Sequence, residues 1–260
     1  MKPVLFRAVD PDGGVHHFTR RPENVCTEVA WATADGRATI HHGDCLDVMR
    51  SLPDGSVDVI VTDPPYGVDL GTKSRNQSSL PVAGYVGASD TRESLAALAA
   101  AVFPEMQRVA KRIVFTPGVR NMWLWPQPSH VGAFYYPSAT GCNSWGFSCW
   151  QPIFYYGKDP YLSIGGGSRP DSFQSTEKAD RNGHPCPKPI STWTRLVERV
   201  TLRGETVLDP FAGSGTTGVA CLSLGCRFIG IEREAAYVEI AKARVAHAAA
   251  QGNLFNGSVS

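Results

Sequence analysis

Five short runs of β-branched and apolar residues, each set off from the next by a helical pattern or an irregular stretch, constrain this chain more than any other feature. They are Ala38–His41, Val57–Thr62, Arg112–Thr116, Glu205–Leu208 and Arg227–Ile231. Helical spacing accompanies them at Cys45–Leu52, Thr91–Ala110, Ile190–Leu202, Thr217–Leu224 and Ala235–Ala249. A strand that is apolar on both faces has to be covered on both faces, and helices folded over each side of a parallel sheet do this. The expected fold class is therefore α/β. A membrane bundle is excluded: the longest apolar run, Leu95–Phe103, is nine residues, against the ~20 that a bilayer span requires.

At 260 residues the chain fits one large domain, long enough to bury most of its apolar surface without covalent staples. Its seven cysteines contain no Cys-x-x-Cys pair, so neither a zinc site nor a disulfide framework is expected. With no apolar stretch in its first dozen positions, the chain is expected to be soluble and cytoplasmic. The net charge of +1 supplies no general attraction for polyanions, so a nucleic acid would have to be held by local basic patches. Residues 1–37 form an arm with a turn at Pro11-Asp12-Gly13-Gly14, residues 38–250 the main domain, and residues 251–260 a tail.

Two stretches break the alternation. Gly67–Ser89 is polar, contains Lys73 and Arg75, and reads as a mobile loop of a length that is usually functional or disordered. Trp123–Tyr161 holds 12 of the 25 aromatic residues. Part of it, Ile153–Tyr156, reads as a core strand; aromatic packing and a binding surface are both open for the rest.

Two motifs carry chemistry. The first, Asp209-Pro210-Phe211-Ala212-Gly213-Ser214-Gly215-Thr216-Thr217-Gly218, follows a strand and opens a helix. Glycines at that junction let backbone approach a ligand. Glu232 ends the next strand, 23 positions after Asp209, the spacing at which a carboxylate accepts both hydroxyls of a ribose. An adenosine-containing cofactor is expected; a redox dinucleotide is the rival, although the glycines do not continue as Gly-x-Gly-x-x-Gly. The second motif, Asp63-Pro64-Pro65-Tyr66-Gly67, ends the strand Val57–Thr62. Its prolines remove two donors and leave acceptor carbonyls, Asp63 adds an acceptor, and Tyr66 an aromatic face. Such a turn suits a planar group bearing an NH2, or simply closes a strand.

Together these motifs resemble the S-adenosylmethionine-dependent DNA amino-methyltransferases of the permuted, or β, group. In that family a catalytic Asp-Pro-Pro-Tyr precedes a Phe-x-Gly-x-Gly cofactor loop. Gly43-Asp44-Cys45-Leu46 matches the family's adenine contact, His184-Pro185-Cys186-Pro187-Lys188-Pro189 its His-Pro-x-x-Lys-Pro element, and Gly230-Ile231-Glu232 its ribose-binding turn. The resemblance covers roughly Ala38 to Val245. It implies a Rossmann-like, seven-stranded methyltransferase sheet, circularly permuted and mostly parallel with one reversed strand. It also implies S-adenosyl-L-methionine as cofactor, S-adenosyl-L-homocysteine as product, and no metal. Asp44, Cys45, Lys188, Pro189, Asp209, Phe211, Gly213, Ser214, Gly215, Thr216, Thr217 and Glu232 would serve the cofactor, and Asp63, Pro64, Pro65 and Tyr66 catalysis.

The implied reaction is methyl transfer to an exocyclic amine of a base flipped out of double-stranded DNA. Asp63 and the Pro64 carbonyl would accept its two N–H bonds, and Tyr66 would stack on the ring. Asp at the first motif position leans towards N6 of adenine; N4 of cytosine is the alternative, followed by an RNA amine or a non-catalytic DNA-binding module. Carbon-5 cytosine methylation is rejected, because Glu23-Asn24-Val25 precedes Pro185-Cys186 by about 160 residues and Asp63–Tyr66 would have no task. DNA-reading candidates lie in loops 67–92 and 119–182, with Lys73, Arg75, Arg169, Lys178 and Arg181 as phosphate contacts. A cognate restriction endonuclease and a homodimer are partners the resemblance leaves open.

Overall fold

The computed structural model describes residues 5–9, 15–19, 29–66, 92–137, 141–177 and 188–256. In chain order the strands are β1 (Leu5–Val9), β2 (Val15–Thr19), β3 (Val29–Ala32), β4 (Ala38–His42), β5 (Val57–Thr62), β6 (Ala110–Phe115) and β7 (His130–Tyr135), followed by β8 (Gly141–Asn143), β9 (Gly146–Ser148), β10 (Trp150–Tyr156), β11 (Phe173–Gln174), β12 (Thr206–Asp209) and β13 (Arg227–Glu232). The helices are α1 (Cys45–Ser51), α2 (Arg92–Val109), α3 (Pro160–Ser163), α4 (Ile190–Val200), α5 (Thr216–Ser223) and α6 (Ala235–Asn256). β1 and β2 pair as an antiparallel hairpin on either side of the Pro-Asp-Gly-Gly segment.

The main sheet runs β11-β7-β10-β6-β5-β12-β13-β4-β3. From β6 to β4 all pairings are parallel, and β10 is antiparallel to both its neighbours. The expected seven strands are those from β7 to β4, with β10 the reversed one. Two short edge strands extend them: β3, antiparallel to β4, and β11, two residues long and parallel to β7. Among the described residues the sheet thus has nine strands and two reversals, a correction to the expected seven and one. Neither edge strand is long enough for a period of two to register. Val29–Ala32, assigned from sequence to the arm, is the β3 edge itself.

Both faces of the sheet are covered, as the doubly apolar strands require. On one face Ile40, Val59, Val61, Val207 and Phe228 pack against Leu196 and Val197 of α4, Ala220 of α5, and Ala241 and Val245 of α6. On the other, Ile60, Leu208 and Ile231 meet Val48 and Met49 of α1 and Val102, Phe103 and Met106 of α2. Most of these side chains are fully buried, each contributing about 1.5–3 kcal/mol over an exposed position. The first layer is unusually tight around α5. A Cβ on Gly218 would lie 2.6 Å from the Phe228 ring, and one on Gly230 2.7 Å from the same ring. Only glycine at both positions lets α5 and β13 close over that phenyl group.

The aromatic stretch divides. Phe115, Trp125, Phe154 and Tyr156 form a packed cluster with Phe103, whereas Trp123, Trp145 and Phe147 are exposed. No helix among the described residues is long and apolar enough to cross a membrane.

Candidate active site

In an open α/β sheet, ligands bind beyond the carboxyl ends of the strands. Here β4, β5, β6, β12 and β13 deliver Asp44, Asp63, Thr116, Asp209 and Glu232 to that one edge. All but Thr116 line a cleft of about 360 Å³ that both sequence motifs share.

Asp209 organises its floor. The carboxylate is 3% exposed. One oxygen accepts the Thr62 hydroxyl at 2.6 Å and the Phe211 N–H at 3.0 Å; the other accepts the Thr217 hydroxyl at 2.6 Å. Thr217 in turn accepts the Trp193 indole N–H at 2.9 Å. One side chain thereby ties β5, the glycine turn, α5 and α4 together. Burial pushes its pKa up to about 6, against the pull of those hydrogen bonds.

The glycine turn curls back on itself at Gly213 (φ 50°) and Gly215 (φ 76°), and Gly215 is the N-cap of α5. Glu232 holds the turn from β13. One carboxylate oxygen accepts the Gly213 N–H at 2.9 Å, the other the Glu234 N–H at 2.8 Å. Burial raises its pKa. Asp44 caps α1 through the Leu46 N–H at 2.8 Å, and burial pushes the neighbouring Cys45 thiol up. From α6, Arg244 reaches the Ser214 carbonyl (2.6 Å), the Ser214 hydroxyl (2.9 Å) and the Thr216 hydroxyl (3.0 Å). Of the cofactor residues expected from sequence, Asp44, Cys45, Lys188, Asp209, Phe211, Gly213, Ser214, Thr216, Thr217 and Glu232 line the cleft. Gly215 and Pro189 are not on its wall; they start α5 and α4 as N-cap residues.

At the other end lies the Asp63–Tyr66 turn. One oxygen of Asp63 accepts hydroxyls from Tyr66 and Thr116. The other pairs with the Lys188 ammonium at 2.8 Å, the side chains being 22% and 16% exposed. The Tyr66 hydroxyl also accepts the Gln151 amide and lies 3.3 Å from Lys188 Nζ. Asn121 donates to the Tyr66 carbonyl. Lys188, grouped by its motif with the cofactor, thus reaches the cleft beside the carboxylate of the other motif.

Sequence reasoning missed Thr116, Asn121, Gln151 and Arg244. Thr116 left a signal in the sequence, a polar residue just past the carboxyl end of an apolar run. The others act across 28 to 85 positions of sequence, where no local pattern marks them. Of the basic candidates, Arg169 lies over the Tyr161 ring, 3.5 Å from its centroid. Lys73, Arg75, Lys178 and Arg181 fall outside the described residues, as do the loop Gly67–Ser89 and His184–Pro187. No cluster able to hold a metal occurs among the described residues.

The donor set fits an adenosyl cofactor: acidic acceptors at Asp44 and Glu232, apolar walls at Leu95, Leu98, Phe211 and Ile231, and a turn whose backbone is open to close approach. A doubly wound sheet with both motifs in one cleft at its carboxyl edge has the layout of a Rossmann-like fold. Known proteins narrow the class. The family described as DNA methylase matches residues 118–243, and an RMKL-like methyltransferase domain matches residues 27–115. The Escherichia coli (strain K12) protein named "Putative methylase YubD" is 30% identical over 78% of this chain and 88% of its own length. The type II methyltransferase M2.MboI of Moraxella bovis is 26% identical over 81% and 88%. In fold, the cytosine-N4-specific PvuII DNA methyltransferase aligns over 90% of this chain and 98% of its own with a TM-score of 0.59, at 14% identity. M1.HpyAVI, solved with S-adenosylmethionine, aligns over 80% and 98% with a TM-score of 0.54, at 21% identity. The chain belongs to the DNA methylase family, the S-adenosyl-L-methionine-dependent DNA amino-methyltransferases.

Proposed function

We propose that this protein is a site-specific DNA methyltransferase that modifies the exocyclic N6 amine of adenine in a base turned out of the duplex. The observation that carries the reading is the hydrogen-bond state of Asp63. A carboxylate offers about four acceptor positions. Tyr66, Thr116 and Lys188 take three, which leaves room for one N–H at the mouth of the cleft. The Pro64 carbonyl, with no proline donor beside it, suits the second.

Held by both, an amine nitrogen loses conjugation with its ring and its lone pair becomes nucleophilic. The acceptors already stand where positive charge develops on nitrogen, so no reorganisation is needed at that moment. Asp63 is also the nearest base for the proton the nitrogen must shed. Lys188, Thr116 and the Gln151–Tyr66 pair fix its orientation. S-adenosyl-L-methionine supplies the methyl group, activated on a sulfonium, with Asp44, Phe211, Gly213 and Glu232 as the residues that would hold it. We read the element order, with the catalytic turn ahead of the glycine turn, as the permuted arrangement of the β group. Asp63 at the first motif position favours adenine over cytosine.

Methylation-sensitive long-read sequencing of DNA from cells expressing the chain tests this. N6-methyladenine in a fixed sequence context is the expected result. N4-methylcytosine would overturn the base assignment, and unmodified DNA the function.

A further inference from the structure

The exposed aromatic hairpin that leads into β10 has no part in the chemistry above. β8 and β9 pair antiparallel and close at Asn143 opposite Gly146, with Ser144 and Trp145 as a two-residue turn. Gly146, the first residue after the turn, has φ 124°, a conformation that glycine adopts freely. Trp145, at the tip, is 97% exposed, and Phe147 beside it 76%. Large apolar side chains displayed this openly mark an interaction surface.

Its position says what the surface meets. β9 runs through Cys149 into β10, which is antiparallel to β6. The start of β10 therefore lies at the carboxyl edge of the sheet, where the cleft opens. Its second residue, Gln151, donates to the Tyr66 hydroxyl. Gln151 lies six positions after Trp145, a reach of at most about 20 Å. A two-stranded ribbon fits the major groove, about 12 Å wide and 8.5 Å deep. Between Asn121 and Gly157 the sequence has no Lys, Arg, Asp or Glu, so the ribbon neither repels phosphates nor clamps them.

From these observations, and resting on the DNA-methyltransferase reading, we infer that Trp145 is a wedge that enters the base stack and fills the space the target base leaves. Turning a base out costs stacking and pairing, and apolar side chains inserted between base steps offset that cost in proteins that distort DNA. A neutral indole on a ribbon that continues into the strand touching the catalytic turn would couple the opening of the duplex to presentation of the amine.

The test compares two duplexes bearing the methylated site: one fully paired, one with the base opposite the target removed. Trp145→Ala should lower kcat/KM on the paired duplex roughly ten- to a hundredfold, the range of aromatic–base stacking. On the abasic-opposed duplex, where no base pair has to be broken and the wedge has less opening to offset, the loss should be under about threefold. Trp145→Phe should recover most of the activity, and the salt dependence of DNA binding should not change, since no charge is removed. Parent-like turnover by Trp145→Ala on the paired duplex would overturn the inference, and so would equal losses on both duplexes. A parent chain that methylates no DNA would overturn the functional reading as well; an active parent matched by the variant overturns the wedge alone.

Discussion

Asp209→Asn separates what this buried carboxyl does by hydrogen bonding from what its charge costs. In the parent the pKa rises from 3.8 to about 6 because the group is dry. Across that window the folded chain binds more protons than the unfolded one, so stability falls as pH rises, by about 3 kcal/mol in all. It is fully present below pH 3.8 and lost once pH passes about 6. Asparagine never ionises, so the variant lacks this loss. It has a defect of its own: its NH2 must replace an oxygen that accepts from Thr217 or from Thr62 and Phe211. A buried donor facing another donor costs about 1–3 kcal/mol. At pH 4 the variant should therefore be less stable than the parent by about that amount. By pH 7.5 the relief of charge burial, of similar size, should bring the two close together. Urea unfolding at half-unit steps from pH 4 to 7.5 measures this; other titrating groups, present in both proteins, cancel in the difference. A gap that stays constant, or widens with pH, would refute the argument that desolvation governs Asp209.

Asp63→Ala should abolish transfer of tritiated methyl groups to DNA while calorimetric affinity for S-adenosyl-L-methionine stays within a few-fold; normal turnover would remove Asp63 from the mechanism. Glu232→Gln keeps one acceptor oxygen and loses the charge, so cofactor binding should weaken about tenfold or more, at 1.5–3 kcal/mol for each charge-assisted bond; unchanged affinity would remove Glu232 from the ribose. Lys188→Met strips the cation from Asp63 and should lower kcat at least tenfold with little change in cofactor Kd, whereas a drop in affinity alone would assign Lys188 to the cofactor, as its sequence motif suggested.

The central layer was legible because each of its strands is apolar on both faces and each helix is periodic. β5 falls on the residues read from sequence, and β4, β12 and β13 within a residue at each end. The cleft was legible for a related reason: its acidic and glycine residues stand at strand ends, where polarity interrupts an apolar run. What escaped has no such local mark. β3 and β11 are too short to show alternation, and β7 lies in a stretch whose aromatic density hides its period. The partners of Tyr66 come from β10, from Asn121 and from Lys188, brought together by sheet order and not by spacing. Lys188 shows the difference best: its motif was plain, but only the fold reveals that its ammonium pairs with Asp63.

The crowding at Phe228 also bears on how such a sequence can drift. Alanine at Gly218 or Gly230 would press on the phenyl ring, an overpacking typically costing about 1–3 kcal/mol. Trimming Phe228 first would leave a cavity in the layer, at a cost of the same order or more. Either step consumes a sizeable part of the 5–15 kcal/mol by which a domain is stable. The three positions are therefore expected to change together, so that relatives with a side chain at 218 or 230 carry a smaller residue at 228. Sequences that depart from this linkage would identify chains in which α5 has moved off the sheet.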